Sequence, residues 1–127
     1  MKYNFNWSAV TGGAPYITIS SLGIAFNSVS IEKLQMPKKI IIGFDEDNCA
    51  IGIKAYENEH SIKPFEFASR IKNNWIRIGC KDFIKYLQSI TDLNFTVSKK
   101  YVAKFDSEEK VLTVELLDNS EEEDNNK

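Results

Sequence analysis

Apolar and polar residues alternate along much of the chain, and this period of two predicts β-strands. The predicted strands cover residues 16–19, 24–26, 39–44, 50–56, 65–71, 75–78, 99–105 and 110–117. Asn73 and Asn74 are expected to form a two-residue hairpin turn, because asparagine tolerates a positive φ angle. Short strands joined by polar turns indicate a mostly antiparallel sheet structure.

Two stretches show helical spacing of apolar residues, and they cover residues 29–35 and 81–89. Asn27 and Ser28 are expected to cap the start of the first helix, because their side chains accept hydrogen bonds from free backbone amides. Pro37 ends this helix, because proline cannot continue it. The residues expected to face the core are Ile31, Leu34, Phe83, Ile84 and Leu87. The predicted fold class is therefore α+β, a mostly antiparallel β core with two short helices.

The order strand, turn, short strand, helix and hairpin occurs twice. Residues 38–54 (KKIIIGFDEDNCAIGIK) align with residues 99–115 (KKYVAKFDSEEKVLTVE) at a constant offset of 61. The helices align at an offset of 53, as IEKLQ at 31–35 and IKYLQ at 84–88. The offsets differ because of the linker after the second helix, where insertions are tolerated. We predict a duplicated unit with pseudo-two-fold symmetry; the alternative is that two amphipathic hairpins are alike by chance.

The chain has 127 residues, of which 43% are hydrophobic and 27% charged, and this length predicts one domain. We expect a globular domain at residues 1–117, with halves at about 16–56 and 65–117. Residues 118–127 form an acidic tail that is expected to lack regular structure. Because the repeat supplies both halves, we expect a monomer or a weak dimer.

Residues 17–56 resemble the swapped-hairpin domains of AbrB-like transition-state regulators and MazE-type antitoxins. The residues that carry the resemblance are Gly23, Phe26, Ile31, Leu34, Asp45, Ile51 and Lys54. It covers about 40 residues of each half and implies a DNA-binding transcription regulator whose two fused units imitate the family's homodimer. One departure is that residues 17–26 carry no basic residue, whereas the family's DNA-contacting hairpin is basic. The whole chain also resembles small bacterial and phage proteins of unassigned function.

A basic hairpin surrounds the Asn73-Asn74 turn, and its candidate nucleic-acid-binding residues are Arg70, Lys72, Trp75, Arg77 and Lys81. Basic side chains neutralise phosphates, and an aromatic ring can stack on a base. If the strand alternation holds, Arg70 and Lys72 share a face and Arg77 lies across from one of them. The alternative is a solvated face of a β-hairpin. The acidic tail, which has the opposite charge, is expected to lie over this hairpin.

The Lys38-Lys39 and Lys99-Lys100 pairs occupy equivalent positions of the repeat. They are interpreted either as a symmetric pair of basic spots or as edge-strand lysines that block aggregation.

Catalytic chemistry is not indicated by the sequence. His60 is the single histidine, so neither a nucleophile–histidine pair nor a histidine-rich metal site can be built without it. The acidic run at residues 45–48 lacks the EF-hand pattern and is expected to be a turn. Cys49 and Cys80 are isolated and are expected to be buried, reduced thiols. We expect no catalytic residue, no cofactor and no metal, and therefore no enzyme.

The protein is expected to be cytoplasmic, because the sequence shows neither a signal peptide nor an apolar run that could span a membrane. The favoured function is a nucleic-acid-binding regulator of swapped-hairpin type. The alternative is a protein-interaction module, such as an antitoxin-like or phage-encoded inhibitor, that contacts its protein partner through the acidic tail or an apolar face.

Overall fold

Strands and short helices alternate along the part of the chain that the structure describes. The structure is a computed structural model, which describes Lys2, residues 13–117 and the backbone of residues 120–121. The strands are β1 (Tyr16–Ser20), β2 (Gly23–Phe26), β3 (Lys39–Asp45), β4 (Ala50–Ala55), β5 (Phe65–Glu66), β6 (Ile71–Lys72), β7 (Trp75–Gly79), β8 (Lys99–Val102), β9 (Lys104–Asp106), β10 (Val111–Glu115) and β11 (Ser120–Glu121). The helices are α1 (Ser28–Leu34) and α2 (Lys81–Ile90). The predicted α+β class is confirmed.

These strands form two antiparallel sheets. Sheet A has the order β11-β8-β1-β2-β7-β6, and sheet B has the order β5-β3-β4-β10-β9. Alternation along each strand sends apolar side chains to an inner face and the others to an outer face. In sheet A the inner face carries Ile17, Ile19, Ile24, Phe26, Ile76, Ile78 and Tyr101.

The helices join the core on the inner side of the sheets. Helix α1 contacts β1, β2 and β7 of sheet A and β10 of sheet B, so it lies between the sheets. The predicted helix residues Ile31, Leu34, Ile84 and Leu87 all belong to the core cluster, and Phe83 packs against it. Both helices pack against the inner face of the sheets, so the outer face of sheet A lies on the side away from the helices.

Local side-chain chemistry sets several boundaries as the sequence predicts. Asn73 and Asn74 have φ angles of 54° and 67°, and they join β6 to β7 as the predicted two-residue turn. Asn27 caps α1 by accepting the Ser30 amide proton at 3.0 Å. Gln35 ends the helix with a left-handed φ of 66°, two residues before Pro37.

The prediction of one strand over residues 65–71 is wrong. After β5 the chain enters a 3₁₀ turn at Ala68–Arg70, and β6 begins only at Ile71. The cause is Phe67, which is fully buried and packs edge-to-face on Phe26 at a centroid distance of 5.1 Å. The chain bends there to bring this ring into the core.

The prediction of one strand over residues 99–105 is also corrected. The chain leaves sheet A after β8 and joins sheet B as β9. Ala103 lies between the two strands, is buried, and donates its amide proton to the carbonyl of Pro15 at 2.9 Å. A small side chain suits this crossing because the backbone passes through the protein interior.

The two proposed halves pair with each other in both sheets. Strand β2 pairs with β7, and β4 pairs with β10, both antiparallel, as a local two-fold relation requires. The halves differ, however, in that β8 lies in sheet A, whereas its sequence counterpart in β3 lies in sheet B. Duplication therefore stays a prediction.

The two thiols provide a pH-dependent prediction. Cys49 and Cys80 are free and buried, and burial raises the pKa of both, that of Cys80 to about 11. Because the thiolate is the reactive form, labelling of Cys80 in the native protein at pH 8 should be on the order of 100-fold slower than that of a free cysteine. The folded state keeps its thiol proton longer than the unfolded state, so the free energy of unfolding should fall as pH rises from about 9 to about 11. Labelling kinetics with and without denaturant measure the first effect, and rapid native labelling would contradict the burial.

Candidate nucleic-acid interface

Four strands of sheet A contribute side chains to one continuous row on its outer face. Arg77 of β7 pairs with Ala25 of β2, Ala25 pairs with Thr18 of β1, and Thr18 pairs with Lys100 of β8. Directly paired residues point to the same face of a sheet. This part of the row therefore has a cation at each end and small side chains in the middle, and the register continues beyond Lys100 to Glu121 of β11.

Two aromatic residues lie beside this row. Trp75 precedes Arg77 by two residues and Tyr16 precedes Thr18 by two, so both rings are on the outer face. Arg77 Cζ lies 5.6 Å from the centroid of the Trp75 ring. Lys100 Nζ lies 4.3 Å from the centroid of the Tyr16 ring. Each end of the row is thus a cation stacked on an aromatic ring.

Lys72 extends the surface at the sheet edge, because it pairs directly with Trp75. We call Tyr16, Lys72, Trp75, Arg77 and Lys100 the aromatic-basic face. Lys72 and Arg77 are exposed, and the other three side chains are half-buried.

Hydrogen bonds from α1 hold Tyr16 in place. The Asn27 side-chain oxygen accepts the Tyr16 amide proton at 3.0 Å, and the Asn27 side-chain nitrogen donates to the Ala14 carbonyl at 3.0 Å. The Tyr16 carbonyl accepts a proton from the Ser30 hydroxyl at 3.0 Å. The residues that cap the helix therefore also fix the backbone of one aromatic member of the face.

The structure brings together three of the five predicted site residues, Lys72, Trp75 and Arg77. Arg70 lies in the 3₁₀ turn, so the prediction that it shares a strand face with Lys72 is wrong. Lys81 begins α2 and lines a different groove, together with Lys63 and Phe65.

Tyr16 and Lys100 were not predicted as site residues. They come from opposite ends of the chain and meet only through the pairing of β1 with β8. The sequence signal was present in the alternation at Tyr16 and in the Lys99-Lys100 pair, but it did not specify which strands would be neighbours.

The two lysine pairs of the repeat have different surroundings. Lys100 lies on the outer face of sheet A, whereas Lys39 lies in sheet B and approaches Glu66 at 3.8 Å. They do not form one basic surface. The prediction that the acidic tail lacks regular structure and lies over the basic hairpin is corrected for residues 120–121, because they form β11, which pairs with β8 and places Glu121 opposite Lys100. This edge of sheet A is the one farthest from β6.

The acidic runs act as turns in the structure. Asp45 accepts protons from the backbone and side-chain amides of Asn48, and these hydrogen bonds lower the pKa of the Asp45 carboxyl. Asp106 accepts the amide protons of Glu108 and Glu109 in the same manner. Within the described residues, no group of three or more His, Cys, Asp or Glu side chains could hold a metal ion.

Comparison with protein-family models, with curated proteins and with solved structures found no match to this chain. The swapped-hairpin resemblance therefore stays a prediction. Among the described residues, no helix is long and apolar enough to cross a membrane.

Proposed function

We propose that the protein is a non-enzymatic, cytoplasmic regulator that binds nucleic acid through the aromatic-basic face. The observation that supports this is the presence of two cation–aromatic pairs, Arg77 with Trp75 and Lys100 with Tyr16, on one sheet face. Cations for phosphates and rings for bases are the two kinds of side chain that nucleic-acid surfaces combine.

The spacing of the cations suits an extended ligand. Arg77 and Lys100 are separated by two intervening strands, which corresponds to about 14 Å across the sheet. Both would contact phosphates of one strand of nucleic acid that runs along the row, and Lys72 would add a third contact beyond Trp75.

The existing cation–aromatic contacts do not prevent binding. An exposed cation over a ring contributes about 0.5–1 kcal/mol. A base stacked on an aromatic side chain contributes about 1–3 kcal/mol, and the released cation gains a phosphate. Exchange of the cation for a base is therefore favourable.

The proposal is tested by removing the two cations of the row together. The Arg77→Ala/Lys100→Ala variant should bind a labelled mixed-sequence oligonucleotide about 10-fold or more weakly at about 50 mM salt, as measured by fluorescence anisotropy. The slope of log K against log salt concentration should also become shallower by about 2, which is about 1 for each phosphate contact that is removed.

Lys33→Ala/Lys104→Ala is the matched control, because both lysines are exposed away from this face and the change in net charge is the same. If both variants lost the same amount of affinity, net charge alone would account for the effect, and the assignment of the face would be overturned. Failure of the unmodified protein to bind any oligonucleotide at this salt concentration would overturn nucleic-acid binding itself.

We propose protein interaction as the second candidate function, on the basis of two exposed apolar side chains. Leu22 is 63% exposed and Val97 is 69% exposed. Leu22 lines a shallow depression of sheet A together with Ser98, the neighbour of Val97. Exposed apolar side chains mark protein contacts where they form a contiguous patch. Protein interaction would become the favoured function if the protein bound no oligonucleotide in these experiments.

A further inference from the structure

We infer that the ligand of the aromatic-basic face is a single-stranded nucleic acid, with one unpaired base stacked on Tyr16 and another on Trp75. This inference rests on the proposed function and specifies its substrate class. Single-stranded DNA and single-stranded RNA share the chemistry that the face would recognise.

The middle of the face is formed by a strand with small side chains. Strand β2, which lies between the strands of Tyr16 and Trp75, contributes only Gly23 and Ala25 to the outer face. A shallow depression of about 270 Å³ lies over these residues and is lined by Thr18, Ser20 and Arg77, among others. The depression extends from the row of Thr18, Ala25 and Arg77 away from the two rings, which lie on the other side of this row.

The two rings are placed to take two separate bases. Trp75 is on β7 and Tyr16 is on β1, so they are about 10 Å apart across the sheet. Bases stacked on each other in a helix are much closer than this, whereas the bases of an extended strand can be splayed onto separate rings. The sugar and phosphate that join the two bases would lie between the rings, beside the row of Thr18, Ala25 and Arg77.

A duplex does not suit this surface. The major groove of B-DNA is about 12 Å wide and admits a helix or a two-stranded ribbon. Sheet A has six strands in its described part and is about 24 Å wide, so it cannot enter that groove. In a duplex the base faces are also stacked on one another, which would leave Tyr16 and Trp75 without a partner.

The experiment compares one sequence of about 12 nucleotides in four forms: single-stranded DNA, single-stranded RNA, the DNA duplex, and a DNA strand with abasic positions in place of the bases. The intact protein should bind at least one of the single strands about 10-fold more tightly than the duplex and the abasic strand. The two single-stranded arms then identify DNA, RNA or both as the ligand.

Single substitutions locate the stacking. Trp75→Ala and Tyr16→Ala should each weaken single-strand binding by about 5-fold or more and leave duplex binding unchanged, whereas Trp75→Phe should retain most of the affinity. Tyr86→Ala is the control, because Tyr86 is an exposed tyrosine on α2. Circular dichroism checks that each variant is folded. If an alanine variant does not fold, the Trp75→Phe variant still tests whether an aromatic ring is required.

The inference and the proposed function can fail separately. Abasic or duplex ligands that bind as tightly as the single strand, with sensitivity to Arg77→Ala/Lys100→Ala, would overturn stacking and preserve phosphate binding. If the Arg77→Ala/Lys100→Ala variant and the Lys33→Ala/Lys104→Ala control bind every oligonucleotide equally well, both the inference and the proposed function would be overturned.

Discussion

Replacement of Gly23 by alanine is expected to lower the free energy of unfolding by about 3–5 kcal/mol, the range of the most severe single substitutions. Gly23 is the first residue of β2 and has a φ of 157°. A Cβ atom at this position would collide with the main-chain carbonyl oxygen of Ile78 and would also crowd the Cys80 amide nitrogen. Both obstacles are backbone atoms of the neighbouring chain segment, so rotation of a side chain cannot relieve the collision.

Gly79 provides the matched control, because it pairs directly with Gly23 across β2 and β7. A Cβ atom at Gly79 would have no atom within 4 Å, and the φ angle there is not positive. Gly79→Ala should therefore be neutral or should stabilise the protein by up to about 1 kcal/mol. Equilibrium urea unfolding measures both variants, and a Gly23→Ala loss below about 1 kcal/mol would contradict the close approach.

The close approach at Gly23 also affects the candidate interface. The pairing of β2 with β7 sets Arg77 beside Ala25, and thereby aligns the Arg77–Trp75 pair with the residues of β1 and β8. A side chain at Gly23 would push β7 away from β2 and break the row. We therefore expect the stability of this strand pair and the geometry of the aromatic-basic face to depend on the same glycine.

The parts of the fold that follow from local chemistry could be predicted from the sequence. Asn27 caps a helix and Asn73-Asn74 makes a hairpin turn because short polar side chains favour those backbone conformations wherever they occur. The helix positions that face the core follow in the same way from a period of 3.6 residues. Each of these signals is contained within about ten residues of chain.

The parts that depend on which strands are neighbours could not be predicted. Tyr16 and Lys100 form half of the interface because β8 lies in sheet A beside β1, whereas its sequence counterpart β3 lies in sheet B. Sequence periodicity specifies which face of a strand is apolar, but it does not specify the partner strand. The 3₁₀ turn that displaces Arg70 likewise depends on the contact between Phe67 and Phe26, which are far apart in the chain.

The second large effect is expected at the core-facing leucines of the helices. Leu87 of α2 is fully buried and Leu34 of α1 is 6% exposed, and both belong to the cluster between the sheets. Leu87→Ala and Leu34→Ala should each lower the free energy of unfolding by about 2–5 kcal/mol, because each removes buried apolar atoms and leaves a cavity. The loss at Leu87 should be the larger, since this side chain has no exposed surface.

Leu117, which is 64% exposed, is the matched control, and Leu117→Ala should change the unfolding free energy by less than about 0.5 kcal/mol. Urea unfolding of the three variants separates burial from the chemical change, which is the same in each. Losses under about 1 kcal/mol at both Leu34 and Leu87 would mean that the helices do not pack between the sheets.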